Sequence, residues 1–206
     1  MYKMDAKEFN DKVMNGHFKK IYPVIAQQIV DLTGVTKGVC IDLGGGPGML
    51  AISLAKITDL HVIVYDLMKE CVELVPQNCR DNGVTDDKVE AMQGKAEDMK
   101  FEDNSIDLVV SRGSIFFWED QPKGLSEVYR VLKPGGWAYI GGGFGSKELL
   151  DEILEKRAGD PKWNEGRKER MKKNPPEHYA AILDKLGIDG RVDFSEAGTW
   201  IIFQKK

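Results

Sequence analysis

Four glycines, Gly44, Gly45, Gly46 and Gly48, broken only by Pro47, stand between two segments of different periodicity. Before them, residues 38–43 (GVCIDL) form a short apolar run that reads as a buried strand. After them, residues 48–57 (GMLAISLAKI) carry apolar side chains at helical spacing. Glycines at such a junction let the chain turn sharply and leave its backbone bare to a ligand. The helix that follows offers free N–H groups and the positive end of its dipole. The junction also lies at the carboxyl end of a strand, where open α/β sheets bind ligands. Asp66 closes the next apolar run, residues 61–65 (HVIVY). A carboxylate there can accept hydrogen bonds from both hydroxyls of a ribose, so loop and acid together ask for a nucleoside. They leave open which one. Gly46-Pro47-Gly48-Met49-Leu50-Ala51 also fits the dinucleotide pattern G-x-G-x-x-A, and a tight turn that binds nothing could be spelled the same way.

The alternation continues along the chain. Residues 21–32 read as a helix with Pro23 in its first turn. Residues 68–80 read as a helix that Pro76 should kink or divide. Residues 88–93 and 106–111 read as strands, 124–132 as an amphipathic helix stopped by LKPGG, and 137–140 as the start of a fifth strand. Strands alternating with helices predict an α/β fold with a parallel sheet and right-handed crossovers. The tail is different. Residues 146–157 and 176–186 read as helices, and 190–194 and 199–204 as strands joined closely enough for an antiparallel hairpin. With no repeat and no linker-like stretch, one domain is expected over residues 1–206, with 1–30 as a helical lid and 146–206 as helices plus the hairpin.

A net charge of -4 argues against nucleic acid as a partner, because phosphate binding wants a basic footprint. The chain has no apolar run long enough to span a bilayer. Its charged first residues, MYKMDAKEFNDKV, lack a signal-peptide core. Three cysteines, Cys40, Cys71 and Cys79, without a CxxC pair suggest neither a disulfide framework nor a metal site. A cytoplasmic location is the expectation.

Four segments, VCIDLGGGPGMLAISLAK, VIVYDLMKECVELV, GKAEDMKFEDNSIDLVVSRGSIFFWED and EVYRVLKPGGWAYIGGGFG, occur in that order. Over residues 20–145 the chain thereby resembles the class I S-adenosylmethionine-dependent methyltransferases, in particular the small-molecule branch called methyltransferase type 11. The last two segments have no place in a nicotinamide dehydrogenase, which removes the dinucleotide alternative. The resemblance implies a Rossmann-like, doubly wound, seven-stranded sheet of order 3-2-1-4-5-7-6. Strand 7 would be antiparallel, with helices on both faces.

It also implies site residues. Asp42 is expected near the methionine amino group of the cofactor. Gly44, Gly46 and Gly48 are expected along its methionine part, with Gly45 in the same loop. Asp66 would hold the ribose hydroxyls, Leu67 would lie against the adenine face, and Ala96 would present its backbone to the adenine edge. Ser111 and Arg112 follow the fourth strand, where the family holds the cofactor amine with backbone groups. One residue departs from the pattern. The family's acid before Ala96 is here Lys95, which cannot accept a hydrogen bond. Glu97 or a backbone carbonyl would have to replace it.

Methyl transfer from a sulfonium is an in-line displacement, for which the protein supplies alignment and a dry pocket. A general base is needed only if the acceptor must lose a proton, and no catalytic residue can be named. Acceptor-pocket candidates are Ser114, Phe117 and Trp118, in the run Arg112–Glu119 that follows the fourth strand, with Tyr22 in the N-terminal lid and Gly143 in the triple glycine after the fifth strand. Packing of that aromatic run as core is the bland alternative. His17 reads as a surface position, as do His178 and Tyr179. Asn174-Pro175-Pro176-Glu177 resembles a base-methylation motif but lies far from the fourth strand, so it reads as a helix start. The run Arg167, Lys168, Arg170, Lys172 and Lys173 is broken by Glu169 and reads as a solvated helix face. The expected function is methyl transfer from S-adenosylmethionine to a small-molecule acceptor, with S-adenosylhomocysteine as product. A non-catalytic S-adenosylmethionine-binding regulator or scaffold is the rival, and a protein or RNA methyltransferase a third reading.

Overall fold

The computed structural model describes residues 5–206. Residues 1–4, the first positions of the expected lid, lie outside the described residues. Helix α1 (Ala6–Glu8) leads into a wide-turned π-helix, Phe9–His17. Then come α2 (Ile21–Thr33), β1 (Lys37–Leu43), α3 (Met49–Ile57), β2 (Asp59–Asp66), α4 (Lys69–Val72), α5 (Val75–Asp81) and β3 (Val89–Gln93). The second half is β4 (Ile106–Arg112), α6 (Gln121–Val131), β5 (Leu132–Gly143), α7 (Lys147–Lys156), α8 (Pro161–Lys173), α9 (Pro176–Leu186), β6 (Gly190–Ser195) and β7 (Gly198–Gln204).

The seven strands form one sheet in the order β3-β2-β1-β4-β5-β7-β6. β1 pairs parallel with β2 and β4, and β5 pairs antiparallel with β7, as the resemblance implied. Because side chains alternate across a sheet, neighbouring residues feed opposite cores. Cys40, Leu108, Val110 and Ile202 join α2 and α3 on one face, whereas Ile41, Val109, Ile201 and Phe203 join α6 and α9 on the other. Ile21, Ile25 and Ile29 give α2 its fully buried stripe. Truncating any one of these isoleucines would cost about 2–5 kcal/mol. The order of the sheet reverses direction between β1 and β4. Their carboxyl ends, with Asp42 paired to Val110, therefore flank the crevice where such sheets bind ligands.

The helix over 68–80 is divided in two, as its proline implied, and Pro76 sits in the first turn of the second, where its missing N–H is harmless. Three expectations need correction. Helix α6 starts at Gln121 rather than Gly124, because Asp120 caps it by accepting from the Lys123 N–H at 2.9 Å. β5 starts at Leu132, running through the LKPGG segment with a register irregularity against β4. Tyr179 is not at the surface: it is 1% exposed and belongs to the second core, while His178 is exposed and contacts Gln121. The Pro175-Pro176 pair does open a helix, α9.

Candidate functional site

The loop after β1 takes conformations that favour glycine. Gly44, Gly46 and Gly48 have φ of 67°, 56° and 86°. Neighbours add a second demand. A Cβ on Gly44 would overlap Ser114, and one on Gly45 would come within 2.6 Å of Asp42 Oδ2. Gly46 is different, since the nearest atoms to a Cβ there are Phe9 Cε1 at 3.9 Å and Met14 Cε at 4.0 Å. The π-helix therefore lies over the loop. Asn10 ties it down: Asn78 Nδ2 donates to Asn10 Oδ1 and to the Pro47 carbonyl, each at 2.8 Å.

Two carboxylates frame this loop in contrasting ways. Asp42 is 1% exposed, and its Oδ2 accepts from the Ala51 N–H at 3.1 Å. Its Oδ1 is buried with no hydrogen-bond partner. Desolvation, reinforced by Asp66, pushes the Asp42 carboxyl up to about 7. Asp66 is half-buried and holds the loop itself: Oδ2 accepts from the Gly46 N–H and Oδ1 from the Met68 N–H, both at 2.8 Å. Each oxygen keeps a second lone pair. Leu67 and Met68 beside it are exposed, leaving apolar surface at the end of β2.

Of the other expected cofactor residues, Ala96 is buried in the tight 94–100 loop, with Lys95 exposed in a bridge to Asp98. Glu97 reaches the loop after β4: its Oε1 accepts from the Glu119 and Asp120 N–H groups at 2.8 and 3.2 Å. Ser111 is fully buried, and its hydroxyl lies 2.6 Å from that of Ser114.

Ser114 pins the turn after β4 to the end of β1. Its hydroxyl donates to the Leu43 carbonyl at 3.0 Å and accepts from Trp118 Nε1 at 3.1 Å. The three aromatics of that turn divide. Phe116 packs against Gly142, and Trp118 packs against Gly124, whose Cβ would come within 2.5 Å of its ring. Phe117 is 69% exposed. Gly143 is bare for packing reasons, because a Cβ there would meet the Trp200 indole at 2.6 Å.

Arg112, at the end of β4, occupies an aromatic cage. Its guanidinium carbon is 4.6 Å from the Phe18 ring centre, 5.1 Å from Phe144 and 5.9 Å from Tyr22, and its Nε donates to the Gly143 carbonyl at 3.0 Å. Tyr22 is buried, donates to Met14 Sδ at 2.9 Å and has its hydroxyl pushed up to about 12 by desolvation. It feels the charges of both Arg112 and Asp42, so these three groups are near neighbours. His17 stands apart, lining a cavity of about 280 Å³ with Lys156, Arg157 and Asp160. Among the described residues no group of three or more His, Cys, Asp or Glu is arranged to hold a metal ion, and no helix is long and apolar enough to cross a membrane.

The basic run on α8 also departs from its reading as a solvated face. Lys168, Lys172 and Lys173 are exposed, but Arg167 and Arg170 are half-buried on the inward stripe with Trp163 and Gly166. The Arg170 guanidinium stands 5.5 Å above the Phe117 ring centre. The sequence carried a faint signal of this, the i, i+3 spacing of the two arginines; a hydrophobicity pattern does not see a polar stripe that faces inward.

Residues 41–140 match the family model described as "Methyltransferase domain". A solved structure from Methanococcus maripaludis, provisionally assigned as an S-adenosyl-L-methionine-dependent methyltransferase, is 40% identical. The match covers 100% of this chain and 95% of that one, with a TM-score of 0.92. The demethylmenaquinone methyltransferase of Chlorobaculum tepidum is 36% identical over 109 residues, 53% of this chain and 42% of that protein. A rice 2-methyl-6-phytyl-1,4-hydroquinone methyltransferase is 36% identical over 101 residues, 48% of this chain and 29% of that protein. The chain thus spans less than half the length of these two curated relatives.

Proposed function

The chain belongs to the class I S-adenosylmethionine-dependent methyltransferases, and from that premise we propose that it methylates a small-molecule acceptor in the crevice at the carboxyl ends of β1, β2 and β4. The observation that carries this reading is Asp42 Oδ1, a buried carboxylate oxygen without a partner beside a backbone free of side chains. Such an atom calls for a cationic donor, and the cofactor's ammonium is one. S-adenosylmethionine, when bound, supplies an electrophilic methyl group on a sulfonium.

The chain's own residues hold and orient. In this reading Asp42 receives the amine, Gly44, Gly45, Gly46 and Gly48 leave room for the methionine part, and Ser111 and Arg112 add backbone groups. Asp66 offers its remaining lone pairs to the ribose, Leu67 and Met68 offer apolar surface to the adenine, and Ala96 borders it. Glu97, whose Oε1 is taken up by the 119–120 backbone, acts by shaping that loop. Tyr22, Phe117 and Trp118 form the acceptor side, with Ser114 fixing the turn that carries the last two and Gly143 holding Arg112 through its carbonyl. Residues 5–30 and the 146–206 segment wall the crevice of one domain and exclude water. The matched quinone and hydroquinone methyltransferases support a small organic acceptor.

Calorimetric titration with S-adenosylmethionine, S-adenosylhomocysteine and NAD tests this, with Asp66→Ala alongside. Micromolar binding of the two sulfur ligands, lost in the variant and absent for NAD, is the expected result. No binding of either sulfur ligand overturns the reading. Release of S-adenosylhomocysteine with an acceptor present separates an enzyme from a regulator that only holds the cofactor.

A further inference from the structure

Two of the five partly or fully buried arginines of this protein have carboxylate partners. Arg130 pairs with Glu127 and Asp103, and Arg157 with Asp160. Arg112, Arg167 and Arg170 are the contrast: among the described residues none of the three has a carboxylate within ion-pair distance. Arg112 has the aromatic cage, the Tyr22 hydroxyl and the Gly143 carbonyl, all uncharged. Arg167 contacts Met171 Sδ at 3.2 Å, and its Nε is buried with no hydrogen-bond partner. Arg170 stacks on Phe117. The helix face that carries Arg167 and Arg170 meets the cage around Arg112: Trp163 of α8 lies 6.3 Å from Phe18 and 6.4 Å from Phe144, ring centre to ring centre, and Arg170 is pushed below the usual arginine range by burial and then by the charges of Arg167 and Arg112.

Three half-buried like charges gathered on one side of the molecule without counter-ions are costly, on a chain whose net charge is -4. Packing does not ask for them. Phe117, under Arg170, stays 69% exposed, so the stack does not serve to bury that ring. The cluster bridges the acceptor side of the crevice, where β4 ends, and α8, which has no fully buried residue of its own. Guanidinium groups bind oxyanions with paired, charge-assisted hydrogen bonds.

We propose that Arg112, Arg167 and Arg170 form a receptor for an oxyanion, carboxylate or phosphate, carried by the methyl acceptor, with Phe117 flanking the acceptor's apolar part. This rests on the methyltransferase reading for the acceptor's place, but not for the anion site itself. It distinguishes the acceptor from an uncharged quinone ring. Helix α8 then supplies specificity from outside the region that matches the family model, residues 41–140.

The test uses the full chain saturated with S-adenosylhomocysteine. Inorganic phosphate, benzoate and uncharged benzamide are titrated and followed by calorimetry, on wild type, Arg167→Gln, Arg170→Gln and the double variant. Binding of phosphate or benzoate but not benzamide, weakened about tenfold or more in each single variant and abolished in the double, is the expected result. S-adenosylhomocysteine affinity should be the same in all four proteins, which also shows that they are folded. Absence of anion binding to the wild type, or binding that the variants leave intact, overturns the proposal. Anion binding without S-adenosylhomocysteine binding would overturn the cofactor reading and leave the anion site standing. The reverse result would overturn the anion site alone. Phosphate bound in preference to benzoate, or the opposite, identifies which oxyanion the acceptor carries.

Discussion

Asp42 sends one carboxylate oxygen to the Ala51 N–H at 3.1 Å and leaves the other buried without a partner. Its carboxyl is pushed up to about 7 from an ordinary value of 3.8. The folded chain therefore keeps a proton that the unfolded chain has released between those two values. Stability falls as pH rises through that window, by as much as about 4 kcal/mol. Asp42→Asn keeps the acceptor for Ala51 and removes the charge. Urea unfolding of the cofactor-free protein should show the variant more stable than wild type at about pH 8, with the difference closing near pH 4. A parallel pair of curves would mean that Asp42 is not desolvated.

The same carboxylate sets a pH dependence for ligand binding. A cationic amine needs Asp42 charged, so binding near pH 6 must expel its proton. S-adenosylhomocysteine affinity should rise with pH until it levels off above about 7. The binding enthalpy below that should vary with the ionisation heat of the buffer. In Asp42→Asn both effects should vanish and affinity should drop about tenfold or more.

The three thiols should be inert in the folded protein. Cys40, Cys71 and Cys79 are free, with exposures of 0, 2 and 0%. Burial pushes Cys71 and Cys79 up to about 11 and Cys40 well above its ordinary value. Thiolate, not thiol, is the nucleophile. Ellman's reagent should label none of the three at neutral pH until denaturant is added, and then all of them. Fast reaction of Cys71 or Cys79 in the native protein would show that the short helix carrying it, α4 or α5, opens locally.

What could be read from the sequence follows from which residues leave a local signature. Gly44, Gly46 and Gly48 announce their positive φ by being glycine, and β1 and the 190–204 hairpin announce themselves by apolar patterning. Asp66 was legible as an acid at the end of a strand. That it also fastens the Gly46 N–H was not, because the bond exists only when the loop folds back. Glu97, one of two candidates to replace the acid before Ala96, uses one carboxylate oxygen to accept from residues more than twenty positions away, which no local pattern announces. The inward face of α8 left only the i, i+3 spacing of Arg167 and Arg170 as a trace, for a related reason: a half-buried arginine spells the same as an exposed one, and tertiary packing distinguishes Arg170 from Lys168. The strand start at Leu132 was hidden by Pro134 and two glycines, which a register irregularity accommodates.

Glu127 gives the acid side of the stability profile. Its side chain is 9% exposed and accepts from Arg130 at 2.8 and 3.1 Å, Lys123 at 3.3 Å and the Met99 N–H at 3.1 Å. These partners, Arg130 first, hold its carboxyl down to about 2. With the folded value below the unfolded one, the stabilisation is full above about 4.5 and is lost as pH falls towards 2. Glu127→Gln should cost about 2 kcal/mol at neutral pH and little at the acid end, measured by urea unfolding at each pH. Asp103→Asn, at the 67% exposed end of the same network, should change stability by less than about 1 kcal/mol.

Gly44 and Gly46 should separate folding from binding. Both have positive φ, so a side chain at either strains the backbone by about 1–2 kcal/mol. At Gly44 the added methyl also overlaps Ser114, whose hydroxyl joins Leu43, Ser111 and Trp118. That site cannot yield without loosening the whole turn after β4. Gly44→Ala should therefore cost well beyond the strain, with overpacking adding about 1–3 kcal/mol. At Gly46 the new methyl finds Phe9 and Met14 only at 3.9 and 4.0 Å, ordinary contact distances. Gly46→Ala should lose no more than the strain, yet fill the space between loop and π-helix in which the methionine part of the cofactor is placed. Thermal unfolding and S-adenosylhomocysteine titration on both variants give the comparison: a large drop in melting temperature at Gly44, and at Gly46 a small drop with about tenfold or more weaker binding. Full affinity in Gly46→Ala would move the ligand off this part of the loop, and the orphaned oxygen of Asp42 would then need a different donor.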